Sequence, residues 1–188
     1  GDLLDASALT ANTTVTFTGN EAGSISDGIS TAGFSQVERI TTGSGSDTVN
    51  ATATTQGISV DTGAGNDSVS GGSGADSVLG GLGNDSLWGA AGNDTLSGGD
   101  GNDTLSGDAG QDLIDAGAGD DSIILSGQDT IFGGAGTDTL DATFGSFADT
   151  ITFTGATGGT SATGTFDGIE VFRSDGGADS YDARLATG

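Results

Sequence analysis

Cysteine, proline, methionine, histidine and lysine are all missing from this 188-residue chain, and its only basic side chains are three arginines. Without Cys there is no disulfide framework and no thiolate metal site, so whatever staples the fold has another source. Without His, Cys or Lys the common nucleophile–base pairs and zinc-assisted hydrolysis are excluded. A carboxylate pair such as Asp120 with Asp121 would need one member in an apolar pocket to serve glycosidic chemistry, and nothing in the sequence marks such a pocket. The chain is therefore expected not to be an enzyme. No run of about 18 apolar residues offers a membrane span, so membrane insertion is not expected either. No charged and then apolar leader opens the chain, and its start at Gly1 reads as a piece of something longer.

What the chain does have is glycine, 38 residues of it, and 27 acidic residues of which only Glu21, Glu38 and Glu170 are glutamate. The formal net charge is -24, which repels nucleic acid and anionic membranes and makes cations the natural partners. Acidic disordered segments are usually rich in Glu, Lys, Pro and Ser, whereas Asp beside Gly belongs to tight turns and cation loops.

The glycine and aspartate are ordered in time. TGAGNDSVS from Thr62 is followed in register by GGSGADSVL, GGLGNDSLW, GAAGNDTLS, GGDGNDTLS, GDAGQDLID and AGAGDDSII, each nine residues long. After an eight-residue unit, LSGQDTIF from Leu125, the register resumes with GGAGTDTLD from Gly133. An outlying copy, TGSGSDTVN, starts at Thr42, and a weaker one, SDGGADSYD, at Ser174. Such a period signals a repeat architecture before any single residue is considered.

Each unit divides into a turn and a strand. The eighth residue is always aliphatic (Val69, Val78, Leu87, Leu96, Leu105, Ile114, Ile123, Ile131, Leu140) between small polar neighbours, the alternation of a three-residue strand with one side chain facing inward. The six residues before it are dominated by Gly, as a tight turn requires. Strand and turn make half a coil, so two units close one coil of about 18 residues and each turn stacks on the turn two units later, roughly 4.8 Å away. The predicted fold is all-β, a parallel β-roll or β-helix solenoid. Asp67, Asp85, Asp103, Asp121 and Asp138 then form one column, and Asp76, Asp94, Asp112 and Asp129 the other. Bare carboxylates at that spacing repel by about 1 kcal/mol per neighbour even at the dielectric of water. A hard divalent cation between stacked pairs turns repulsion into coordination, with turn carbonyls completing the shell of six to eight oxygens that calcium takes; magnesium prefers to keep its water.

These nonapeptides resemble those of the RTX family of secreted bacterial proteins, in which a parallel β-roll holds calcium ions between stacked turns. The resemblance implies that each ion takes the carbonyls of positions two and four and the Asp of one turn, with the carbonyls of positions one and three and the Asp of the turn above. Carried over, Gly63, Gly65 and Asp67 would share an ion with Gly80, Leu82 and Asp85, and Gly72, Gly74 and Asp76 with Gly89, Ala91 and Asp94. Gly81, Gly83 and Asp85 would share one with Gly98, Asp100 and Asp103, and Ala90, Gly92 and Asp94 with Gly107, Ala109 and Asp112. Gly99, Gly101 and Asp103 would meet Ala116, Ala118 and Asp121. Asp47 and Asp179 are the corresponding ligands of the outlying copies. Calcium is expected to be weak or absent beside the short unit at Leu125 and at Ile58, which stands where Asp belongs.

Residues 42–141 thus form the calcium array, flanked by spacer or capping coils at 1–41 and 142–188, the whole reading as one continuous solenoid. The flanks echo each other: LLDASALTANTTVTFTG from Leu3 returns as TLDATFGSFADTITFTG from Thr139, and FSQVERI from Phe34 as FDGIEVF from Phe166. They are expected to continue the roll as wider, calcium-poor coils that cover its ends. Leu79, Trp88, Ile124 and Phe132, at the usually polar ninth position, should face outward and could form a sticky stripe. Functionally the chain reads as a calcium-dependent structural module, extracellular, secreted or on a bacterial surface. The composition and repeated spacer resemble surface-layer proteins and adhesins, with copies of itself or cell-surface glycan as candidate partners. The alternatives are the secretion and folding domain of a larger RTX toxin or hydrolase, exported by type I secretion, and an ice- or glycan-binding solenoid.

Overall fold

The computed structural model describes residues 2–142 and, beyond them, the strands Thr150–Phe153, Gly159–Ser161, Thr165–Asp167, Val171–Ser174 and Ser180–Ala183; side chains are described as far as Asp141. Every described element is a strand. Within the array the chain alternates between two sheets. Ser59–Asp61, Ser77–Leu82, Thr95–Asp100, Leu113–Ala118 and Thr130–Ala135 lie side by side in the first, and Thr48–Asn50, Ser68–Ser70, Ser86–Trp88, Thr104–Ser106, Ser122–Ile124 and Thr139–Ala142 in the second. All these neighbours run parallel, one coil apart, so the fold is the expected parallel β-roll.

The core is the row of eighth-position side chains. Val60, Val78, Leu96, Ile114 and Ile131 pair rung to rung in one sheet, and Val49, Val69, Leu87, Leu105, Ile123 and Leu140 in the other. None is more than 2% exposed. With one aliphatic side chain per strand, the interior is narrow, and burying each contributes about 1.5–3 kcal/mol.

Three-residue strands are seen in most of the second sheet, but from Ser77–Leu82 onward the first-sheet strands run to six residues. The ladder there continues through the next turn, pairing Gly81 with Gly99 and Gly117, and Leu82 with Asp100 and Ala118. Turn residues that stack in register keep their backbone bonds in the same direction as the strand before them. The ninth-position residues make no single stripe, because successive units alternate sheets. Leu79 and Phe132 are exposed on the first sheet with Ser97 and Asp115 between them, while Trp88 and Ile124 sit half-buried on the second.

The N-terminal flank joins the roll in part. Asp2–Asp5 pairs in parallel with Val37–Thr41, and Thr14–Gly19 with Thr48–Asn50. Between them, however, the expected wide coil is replaced by two antiparallel strands, Ala22–Ser26 and Thr31–Ser35, laid outside Thr14–Gly19. The links are too short for a crossover, which parallel pairing needs and a hairpin does not. Asn20 and Glu21 alone join the first pair, with Glu21 at φ +62°. At the second turn the Asp27 carboxylate accepts the N–H groups of Ile29 and Ser30. Phe34 returns to pack edge-on against the buried Phe17, ring centroids 5.1 Å apart.

Candidate metal centre

Each turn delivers its Asp to the edge of the roll, where the two sheets meet. Asp47, Asp67, Asp76, Asp85, Asp94, Asp103, Asp112, Asp121, Asp129 and Asp138 are all 3% exposed or less. In each case one carboxylate oxygen has a partner in the coil before it. The N–H of Asp67 donates to Asp85 Oδ1, that of Asp85 to Asp103, and that of Asp103 to Asp121, all at 2.8 Å. Asp47 donates to Asp67 and Asp121 to Asp138, extending this column at both ends. On the opposite edge Ile58 donates to Asp76, Asp76 to Asp94, Asp94 to Asp112 and Asp112 to Asp129. The two columns expected from the eighteen-residue spacing are thus present. Ile58 caps the second with a backbone N–H alone, since its side chain brings no oxygen. Asp179 lies outside the described residues.

The second carboxylate oxygen is a different matter. Oδ2 of Asp67, Asp85, Asp94, Asp103, Asp112 and Asp121 is buried with no hydrogen-bond partner. A buried polar oxygen without a partner costs about 1–3 kcal/mol, more when charged, so a column of such atoms is a demand for a cation. The pocket for it is shaped by the first residue of each unit. A Cβ at Gly80, Gly89, Gly98 or Gly107 would overlap Oδ2 of Asp85, Asp94, Asp103 or Asp112, five residues on. Glycine is required there by close approach of the carboxylate, a role distinct from the positive φ that Gly81 and Gly83, at +107° and +115°, supply to the turn.

The carbonyls assigned by the resemblance are brought together as stacked turns. Leu82 N–H donates to Gly63 O at 3.0 Å, Ala91 to Gly72 at 3.0 Å and Ala109 to Ala90 at 2.7 Å. In the other direction Gly65 N–H donates to Leu82 O, Gly83 to Asp100 O and Gly101 to Ala118 O, each at 2.7 Å, and Gly92 to Ala109 O at 2.9 Å. Carbonyls of positions two and three therefore each hold one N–H and keep a second lone pair for a metal. Gly74, Gly99 and Ala116 fall in the same stacks, a Cβ on Gly92 meeting Gly74 O, one on Gly117 meeting Gly99 O and one on Gly98 meeting Ala116 O. Among the described residues no three acidic side chains converge on one point. Two carboxylates and several backbone oxygens per gap is a hard-cation donor set, and it fits calcium.

Electrostatics agree with the geometry. Burial, opposed by the backbone hydrogen bond and reinforced by the neighbouring carboxylate, pushes Asp85 and Asp94 up to about 6 and Asp103 to about 7. Asp121 rises to about 6, and Asp67, Asp76 and Asp112 are raised from the same first cause. Without a cation the columns hold carboxylates against their ionised form.

One signal in the repeat lies beside the site. The fifth-position side chains form an exposed ladder, Asn84 N–H donating to Asn66 Oδ1, Asn102 to Asn84 and Asp120 to Asn102. The N of GND therefore ties adjacent turns together from outside while the D does so from within.

The family model for RTX calcium-binding nonapeptide repeats, in four copies, matches residues 59–87, 88–123 and 125–151. The chain carries an RTX calcium-binding array. A comparison with curated proteins finds no match. RTX arrays bind several calcium ions, and in this one the orphaned Oδ2 atoms and the stacked turn carbonyls are the groups that would hold them. Calcium supplies there the positive charge that lets the columns stay ionised while buried. The chain's own residues supply the rest: Oδ1 fixes each carboxylate to the coil before it, and the first-position glycine leaves room for Oδ2.

Proposed function

We propose that this RTX module is a calcium-gated structural segment of a bacterial surface-layer protein or adhesin, exported unfolded and folded outside the cell. The observation that carries this reading is the pair of buried Asp columns, in which Oδ2 of Asp67, Asp85, Asp94, Asp103, Asp112 and Asp121 is buried without a hydrogen-bond partner. At low calcium, carboxylate repulsion and desolvation oppose the roll and favour an extended, exportable chain. At the millimolar calcium outside cells, each site with a dissociation constant of about 10⁻⁴ M adds roughly 1.4 kcal/mol to the folded state, and several such sites act together. A catalytic role is no part of this reading, because the chain has no His, Cys or Lys and its buried acids are committed to one another's coils.

A circular dichroism titration tests the folding step. The β signal is expected to rise cooperatively with calcium and not with equal magnesium; a chain fully folded in chelator refutes it. Display is tested on producing cells, where the module should stay at the surface in calcium and leave it when calcium is chelated. Release into the medium regardless of calcium would favour the toxin- or hydrolase-domain alternative.

A further inference from the structure

The array meets a spacer at each end, and both sheets run on across each meeting: at the N-terminal end Val37–Thr41 lies beside Ser59–Asp61 and Thr14–Gly19 beside Thr48–Asn50. At the C-terminal end Thr139–Ala142 lies in parallel beside Ser122–Ile124, and Thr165–Asp167 beside Thr130–Ala135, so both sheets are continued. The N-terminal spacer repeats the same internal pairings. Asp2–Asp5 pairs with Val37–Thr41 as Thr139–Ala142 pairs with Val171–Ser174. Thr14–Gly19, Ala22–Ser26 and Thr31–Ser35 form antiparallel neighbours as Thr150–Phe153, Gly159–Ser161 and Thr165–Asp167 do. Yet at this end Asp2–Asp5 and Thr31–Ser35 are the outermost strands of the two sheets, and no described strand pairs with their far sides.

Two further observations mark this face as unfinished. By the echo of the spacers Leu4 stands where Leu140 stands; Leu140 is fully buried, whereas Leu4, with Ile25 and Phe34, is only half-covered at the margin of the core. By the same echo Asp2 stands where Asp138 stands, the sixth position of a nonapeptide, and its N–H is accepted by Glu38 Oε2 at 2.6 Å as a column Asp is by the next carboxylate. Asp2 is therefore placed to continue a column toward an earlier coil.

We propose that the open edges Asp2–Asp5 and Thr31–Ser35 are an acceptor for the last coil of another nonapeptide array, joined in front of Asp2 in the same polypeptide. One strand of that coil, of the Ser122–Ile124 type, lies beside Asp2–Asp5, and the next, of the Thr130–Ala135 type, lies beside Thr31–Ser35. A second copy of this chain offers no free array end, because that end is already covered by its C-terminal spacer. A covalently joined array does fit: only residues 136–138 separate Ala135 from Thr139 in the C-terminal junction, and so short a link gives a high effective concentration. The inference holds wherever the module is displayed.

The test is a tandem chain, residues 2–137 followed directly by residues 2–188, compared in calcium with the 188-residue protein by hydrogen–deuterium exchange. Peptides covering Asp2–Asp5 and Thr31–Ser35 should split into two equal populations, one exchanging as in the single module and one at least about tenfold more slowly. Peptides around Leu87 and Leu96 report that both arrays are folded. A single fast population in a tandem chain with both arrays folded overturns the proposal. So does a first array that fails to fold, since the edges then accept no coil.

Discussion

The backbone N–H of Asp67 points at Oδ1 of Asp85, 2.8 Å away and eighteen residues later in the chain. The same carboxylate presents a buried, unpartnered Oδ2 to the gap between coils. One side chain therefore does two separable things: it joins the coils by a hydrogen bond that needs no charge, and it offers an oxygen whose charge needs a cation.

Asp85→Asn separates them. The amide oxygen still accepts the Asp67 N–H, but the anionic ligand is gone from the two gaps that Asp85 borders, toward Asp67 and toward Asp103. Equilibrium dialysis should show about two fewer bound calcium ions, whereas Asp115→Asn, an exposed ninth-position change, should leave the number as it was. Equal losses from both variants would refute the columnar arrangement.

The acid dependence of folding should change sign with calcium. In the calcium-free folded chain Asp85, Asp94 and Asp121 titrate at about 6 and Asp103 at about 7, against 3.8 for an exposed aspartate. The folded state thus binds more protons than the unfolded one between these values, so its stability increases as pH falls from 8 to 5 and is lost as pH rises through 6 to 7. In calcium the same fall in pH weakens the fold, because protons compete for the ligand oxygens. The β signal by circular dichroism at pH 5 and pH 8 in chelator, and urea midpoints at the same two pH values in calcium, check both halves.

Gly98→Ala should be costly although alanine is otherwise compatible with a strand. Its Cβ would overlap Asp103 Oδ2 and crowd Ala116 O, and overpacking of this kind costs about 1–3 kcal/mol. Thermal unfolding in calcium measures it, with reduced calcium affinity expected alongside.

Ala90→Gly should act in the opposite direction. Ala90 holds the turn at φ +78°, where a Cβ costs about 1–2 kcal/mol, and glycine relieves this at a smaller cost in unfolded-state entropy. The expected gain is roughly 0.5–1 kcal/mol in the same thermal assay.

The roll and its two columns are legible in the spacing because stacking depends on period, and the period is carried by two easily read residues, the Asp and the aliphatic side chain two places later. The first-position glycine is harder to read. A glycine needed for φ and one needed for close approach look alike in sequence, and only the carboxylate folded back over Gly98 distinguishes them. The Asn66–Asn84–Asn102 ladder hides for a related reason, since a small polar residue in a turn is unremarkable until its copy is stacked upon it. The hairpin at 20–35 is missed because Val15 and Phe17 alternate equally well in parallel and antiparallel neighbours; the two-residue link at Asn20 and Glu21 decides, and period says nothing of links.

The columns are held across coils of unequal size. Partners lie eighteen residues apart through most of the array, but twenty from Asp47 to Asp67, and seventeen from Asp112 to Asp129 and from Asp121 to Asp138. Loss or gain of a residue is absorbed within the coil while the carboxylate keeps its place, and each coil advances the axis by about 4.8 Å. The molecule is a ruler graduated in coils: its reach is set by how many times the chain goes round, and hardly at all by how many residues each circuit uses.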